Sequence, residues 1–229
     1  MIEYLFLIFL ILFIIDSVIH VVAVYKENKK IILITKPLLM PLLALFFTFG
    51  ALSLNIFNWL IVAALIGGCA GDTFLMFREK EKYFLVGMLS FLIGHVFYII
   101  YFLSSLGINF MLFLISGPFL IIPVIIIIIV LLPKIKDGLG DMKIPVYVYM
   151  GVILFMHISA ILRVTNFPLY CPCFLFVYIG SILFIISDAL IAYDNFSEAK
   201  IPHVRVYIMI TYILGQYLII QGVLLSGII

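Results

Sequence analysis

Charge is what this 229-residue chain most lacks: only 10% of its residues are Asp, Glu, Lys or Arg, against about 25% in soluble domains. With 67% hydrophobic residues and a mean hydropathy of +1.39, that deficit excludes a soluble globular domain and leaves an integral membrane protein with little mass outside the bilayer. No basic stripe is present for nucleic acid. Cysteine is scarce as well. Cys69, Cys171 and Cys173 are too few for a disulfide framework, and the CPC at 171–173 lacks metal-ligand spacing, so burial as small apolar residues or exposure to lipid is expected. The N-terminal stretch, MIEYLFLIFLILFIIDSVIHVVAVY, has no basic n-region and is long for a signal peptide, so it reads as a first membrane span.

Long apolar runs are what the chain has in abundance. A helix needs about 20 apolar residues to cross a bilayer, and eight such runs lie at about 3–25, 33–51, 56–77, 83–105, 110–132, 145–165, 173–193 and 204–227. They are too long and too uniform for barrel strands. The expectation is an all-α integral membrane protein, a bundle of eight transmembrane helices forming a single domain over residues 1–229. Loops after the first, third, fifth and seventh runs hold twelve of the thirteen Lys and Arg residues, and Arg163 alone lies on the other side. The positive-inside rule therefore puts those loops in the cytoplasm and both termini on the non-cytoplasmic side.

Two of these runs keep an aspartate: Asp72 in GGCAGDTFLMF and Asp188 in LFIISDALIAY. A carboxylate in hydrocarbon costs several kcal/mol unless it is paired, solvated or neutralised. At 1.5 Å rise per residue, both fall roughly 8 Å from the cytoplasmic end of their helix, with Asp16 perhaps 14 Å deep and His20 one turn nearer the cytoplasm. Lys36 and Pro37 open the second run at that edge. His95 with Tyr98, and Tyr212 with Gln216, form one-turn pairs near mid-depth. The polar groups thus gather in the cytoplasmic half, which predicts one polar cavity opening toward that side. Plainer readings stand beside this: pairing of either aspartate with Lys36, packing for His95 and Tyr98, a structural Asp16–His20 pair, and a helix–helix hydrogen bond for His157. Gly67, Gly68 and Gly71 allow close helix approach beside Asp72. GDTFL (71–75) and SDALI (187–191) give a faint half-and-half echo in which Lys36–Pro37 has no counterpart.

In order and spacing, TKPLLM (35–40), GDTFLM (71–76), GMLSFLIGHVFYIIYF (87–102), GSILFIISDALIAYDNF (180–196) and TYILGQYLI (211–219) resemble the YhhN-like lysoplasmalogenases, a family of eight-helix membrane hydrolases. The resemblance covers essentially the whole chain. It implies hydrolysis of the vinyl ether of lysoplasmalogens to a fatty aldehyde and a glycerophospho-base, with no cofactor. The family's two aspartates fall on Asp72 and Asp188, its basic residue on Lys36, its histidine on His95 and its tyrosine on Tyr98. The implied partners are a lysophospholipid substrate and membrane lipid.

The chemistry agrees. A vinyl ether resists base and yields to acid, so a protonated carboxyl and an ionised one are both needed, as in glycosidases. Two aspartates near each other in a low-dielectric cavity would share one proton and keep an acid at neutral pH. His95 and Tyr98 would orient a carboxyl or water, and Lys36 would hold the phosphate. Three rivals remain: a metal hydrolase built on His20, His95 and His157, which shows no ligand spacing; a proton-coupled transporter of lipid or small molecules using the same carboxylates; and an inactive membrane scaffold.

Overall fold

The computed structural model describes residues 2–104, 107 and 109–228. It is helical throughout: α1 (Ile2–Tyr25), α2 (Lys29–Ser53), α3 (Trp59–Leu75), α4 (Glu81–Ser104), α5 (Phe110–Leu120), α6 (Ile122–Ile135), α7 (Lys143–Leu162), α8 (Pro172–Phe196) and α9 (Val204–Leu225), with single 3-10 turns at Gly140–Met142 and Arg163–Thr165. Seven stretches are long and apolar enough to cross a membrane, α5 and α6 counting together as Phe110–Ile135. The eighth, α3, has 17 residues. Every predicted run is therefore helical; the expected end of the fourth at Ser105 lies outside the described residues.

Two runs differ in detail from expectation. The third is shorter than 56–77, because the Asn58 side chain accepts from the Leu60 amide at 2.9 Å and starts the helix late. The amides of Phe77 and Arg78 then bond the carbonyls of Phe74 and Leu75 in turns rather than in a helix. The fifth run is bent instead of continuous. Pro123 has no N–H to give Phe119, and the amides of Val124 and Ile125 both bond the Ile121 carbonyl. That leaves the Leu120 carbonyl without its helical donor, and the Tyr178 hydroxyl supplies one at 2.9 Å.

The chain forms two compact units: the first takes in residues up to Tyr101 and from Ile220 onward, the second Phe102–Ile219. In the first, α1 lies along α2 through ring pairs such as Phe6–Phe46 and the stacked Phe9–Phe49, centroids 6.0 and 5.3 Å apart. Leu39, Met40, Leu43, Phe46 and Phe47 of α2 and Ile61, Ala64 and Leu65 of α3 are all buried in its core. Pro41 cannot donate to the Pro37 carbonyl one turn back, and the Cys69 thiol of α3 lies 3.5 Å from that oxygen in its place. Lipid offers no hydrophobic force between helices, so small residues decide where backbones meet. A Cβ on Gly67 would stand 2.9 Å from the Gly94 Cα and 3.0 Å from the Ser90 carbonyl, so α3 and α4 touch backbone to backbone.

The second unit has its own such seam, where a Cβ on Gly180 of α8 would stand 2.7 Å from the Gly215 carbonyl of α9. Arg163 is 1% exposed, its guanidinium 5.6 and 5.1 Å from the ring centres of Phe102 and Phe167. Here the cysteine expectation needs correction. Cys171 and Cys173 are buried, but they are joined by a disulfide across Pro172, their Cα atoms 5.3 Å apart. A bond between residues two apart closes too small a loop to show as a framework in a cysteine count.

Candidate functional site

In the first unit the polar residues run across three helices. Asp72, 3% exposed, lies in the last turn of α3, the end where a helix dipole disfavours negative charge. Lys36 of α2 answers it, with Nζ 3.6 Å from Oδ1. The pairing with Lys36, one of the plainer readings of the sequence, is therefore formed. Next to Lys36, the Thr35 hydroxyl donates to the Ile31 carbonyl one turn back at 2.9 Å. Its oxygen lies 2.7 Å from His20 Nδ1. Thr35 has one hydroxyl hydrogen and spends it on Ile31, so Nδ1 must be the donor in that contact. The imidazole is fixed as the tautomer whose Nε2 keeps a lone pair. The expected Asp16–His20 pair is not formed: the imidazole turns to α2 instead, and Asp16 Oδ2 is buried with no hydrogen-bond partner among the described residues. His95 and Tyr98 of α4 are buried in this unit, His95 directly after the Gly94 seam.

The second unit repeats much of this plan with other residues. Asp188 of α8 accepts a 2.6 Å hydrogen bond at Oδ2 from the Tyr149 hydroxyl of α7, a length typical of a phenol or hydroxyl donating to a carboxylate. Beside it, Ser187 Oγ donates to the Ile208 carbonyl at 3.2 Å and ties α8 to α9. His157 Nδ1 lies 2.8 Å from Ser181 Oγ, which itself donates to the Tyr178 carbonyl at 2.7 Å. By the same count of hydrogens, His157 is also an Nδ1 donor. This is the helix–helix hydrogen bond expected of it. Tyr212 and Gln216 of α9 are buried, the Tyr212 ring edge-on to Phe184 at 5.5 Å, with Gln216 directly after the Gly215 seam.

Tyr149 is the functional candidate that the sequence hides. It lies in VYVYMG beside Tyr147, and nothing in composition or spacing tells the half-buried tyrosine from the exposed one. Thr35 was similarly masked by its neighbours Lys36 and Pro37. Among the described residues no three or more His, Cys, Asp or Glu side chains converge as metal ligands.

Residues 31–223 match the model of the YhhN family. The chain belongs to the YhhN family. No curated protein and no solved structure matches it. In this YhhN-family membrane protein the matched stretch takes in Lys36, Asp72, His95, Tyr98, Tyr149, Asp188, Tyr212 and Gln216 and leaves out Asp16 and His20.

Proposed function

We propose that this YhhN-family protein is a lysoplasmalogenase-type hydrolase that cleaves the vinyl ether of a lysoplasmalogen. A proton adds to the β-carbon of the vinyl ether, leaving an oxocarbenium ion. Water adds to that ion and loses a proton, and the hemiacetal collapses to a fatty aldehyde and the glycerophospho-base. The observation that carries the reading is the pair of membrane carboxylates, each held by its own donor: Asp72 by Lys36 and Asp188 by Tyr149. No cofactor enters the scheme.

The two environments suit different parts. The Lys36 ammonium pairs with the Asp72 carboxylate, which suits that group to stabilising the cation and aligning water. The Tyr149 phenol brings no charge to Asp188, unlike the ammonium beside Asp72, and this suits Asp188 better to delivering the proton. Asp188 is thus the acid and Asp72 the anion. Lys36 would hold the substrate phosphate through its ammonium, and His95, Tyr98, Tyr212 and Gln216 would serve as orienting groups. In this reading the cytoplasmic side is the side of the basic loops after α1, α3, α6 and α8, both termini lie opposite, and the substrate enters sideways from the leaflet.

The test is product analysis by mass spectrometry after incubating purified protein with a lysoplasmalogen and with its saturated ether analogue. Aldehyde is expected from the unsaturated lipid alone. Folded Asp72→Asn and Asp188→Asn variants should each lose about 100-fold or more, the range of a general acid or base. Near-native activity in either overturns the two-carboxyl scheme.

One observation favours a second reading, proton-coupled transport. The carboxylate, its donor on the preceding helix and the glycine seam with the following one recur in both units, as internal repeats do in transporters. Flux of lysolipid across liposomes without any product would select it.

A further inference from the structure

Asp16 and His20 are a cost that the hydrolase scheme leaves unexplained. Both sit in α1, deep in a membrane span, Asp16 9% and His20 0% exposed. Asp16 Oδ2 and His20 Nε2 are buried with no hydrogen-bond partner among the described residues. Such groups persist in a membrane protein when something else completes them. What completes them must be a donor. Asp16 ionised can only accept, and His20 Nε2 can only accept while Nδ1–H is committed to Thr35. A group that completes both therefore carries at least two N–H or O–H groups, and a positive charge if the carboxylate is ionised.

Both unpartnered atoms belong to side chains one turn apart on α1. Their place fits such a group. His20 is fastened to Thr35, the next residue is Lys36, and Lys36 holds Asp72. A lysolipid with its phosphate on Lys36 has its amine two carbons further on.

We propose that Asp16 and His20 form the headgroup site of the lysolipid, taking the primary ammonium of an ethanolamine headgroup in preference to the trimethylammonium of choline. The inference rests on the hydrolase reading for its ligand class. The chemistry of the choice is donor count. The ethanolamine ammonium has three N–H groups, and trimethylammonium has none and relies on aromatic faces instead. Both residues lie on α1, outside the stretch matched to the family, 31–223.

The experiment needs no turnover. Saturated 1-O-alkyl lysophospholipids with ethanolamine, N-methyl, N,N-dimethyl and choline headgroups compete for the purified full chain in detergent, read by native mass spectrometry. Affinity is expected to fall stepwise along the series, by about tenfold or more from first to last, as for loss of hydrogen bonds to a charged partner. Asp16→Asn should flatten the series. Equal affinities in the unaltered protein overturn the site, as does a gradient that survives Asp16→Asn. Should that variant fail to fold, the series on the unaltered protein still decides. A flat series with aldehyde still released from a vinyl ether lipid overturns the headgroup site alone; a steep series without aldehyde supports the site and overturns the hydrolase.

Discussion

Asp72 faces an ammonium and Asp188 a phenol, although the helices around them are built alike. In each unit the carboxylate stands past a glycine seam and takes its donor from the preceding helix: Lys36 of α2 in one, Tyr149 of α7 in the other. The difference follows from where each helix stops. Asp72 is three residues from the end of α3, where the helix dipole disfavours negative charge. A full positive charge is needed there. Asp188 is two turns from the end of α8, inside continuous helix, where a neutral donor serves. The lesson is that the same side chain acquires different chemistry from its helix position before any substrate is considered.

Breaking each donor measures the contrast. Lys36→Met leaves a buried carboxylate beside a helix C-terminus and should cost about 3–5 kcal/mol, read as a lowered thermal midpoint in detergent. Adding Asp72→Asn should recover most of that loss. Tyr149→Phe removes one hydrogen bond to the Asp188 carboxyl and should cost about 1.5 kcal/mol, with a smaller shift in midpoint. If Tyr149→Phe destabilises more than Lys36→Met, the dipole account of the difference fails. The histidine anchors give the smallest and most equal effect. Thr35→Val and Ser181→Ala each remove the hydroxyl between an imidazole and a carbonyl, and each should cost about 1 kcal/mol. Values that differ by more than that would show that the likeness of the two units ends at the carboxylates.

Hydropathy made the helices legible, because a membrane span must be apolar over its whole length whatever it packs against. It was blind to the ends of α3 and to the bend at Ile121, which depend on one asparagine cap and one missing proline N–H. Asp72, Asp188 and Lys36 stood out because charge in such a run has no other excuse. Tyr149, Thr35 and Ser181 did not, since tyrosine and hydroxyl residues are common in spans and only side-chain direction separates the working ones. Direction also explains the Asp16–His20 reading. Spacing of four placed them on one face, but the imidazole found Thr35 on the neighbouring helix. Cys171 and Cys173 show the opposite hazard, a bond between residues too close in sequence to suggest one.

The glycine seams also bear on which helices can move against one another. Where α3 meets α4 at Gly67 and Gly94, and α8 meets α9 at Gly180 and Gly215, no layer of side chains lies between the backbones to act as a bearing. Neither helix of such a couple is able to slide or roll without driving main chain into main chain. Each couple is therefore expected to move as one rigid piece, so that any bending within a unit falls on its other helix contacts.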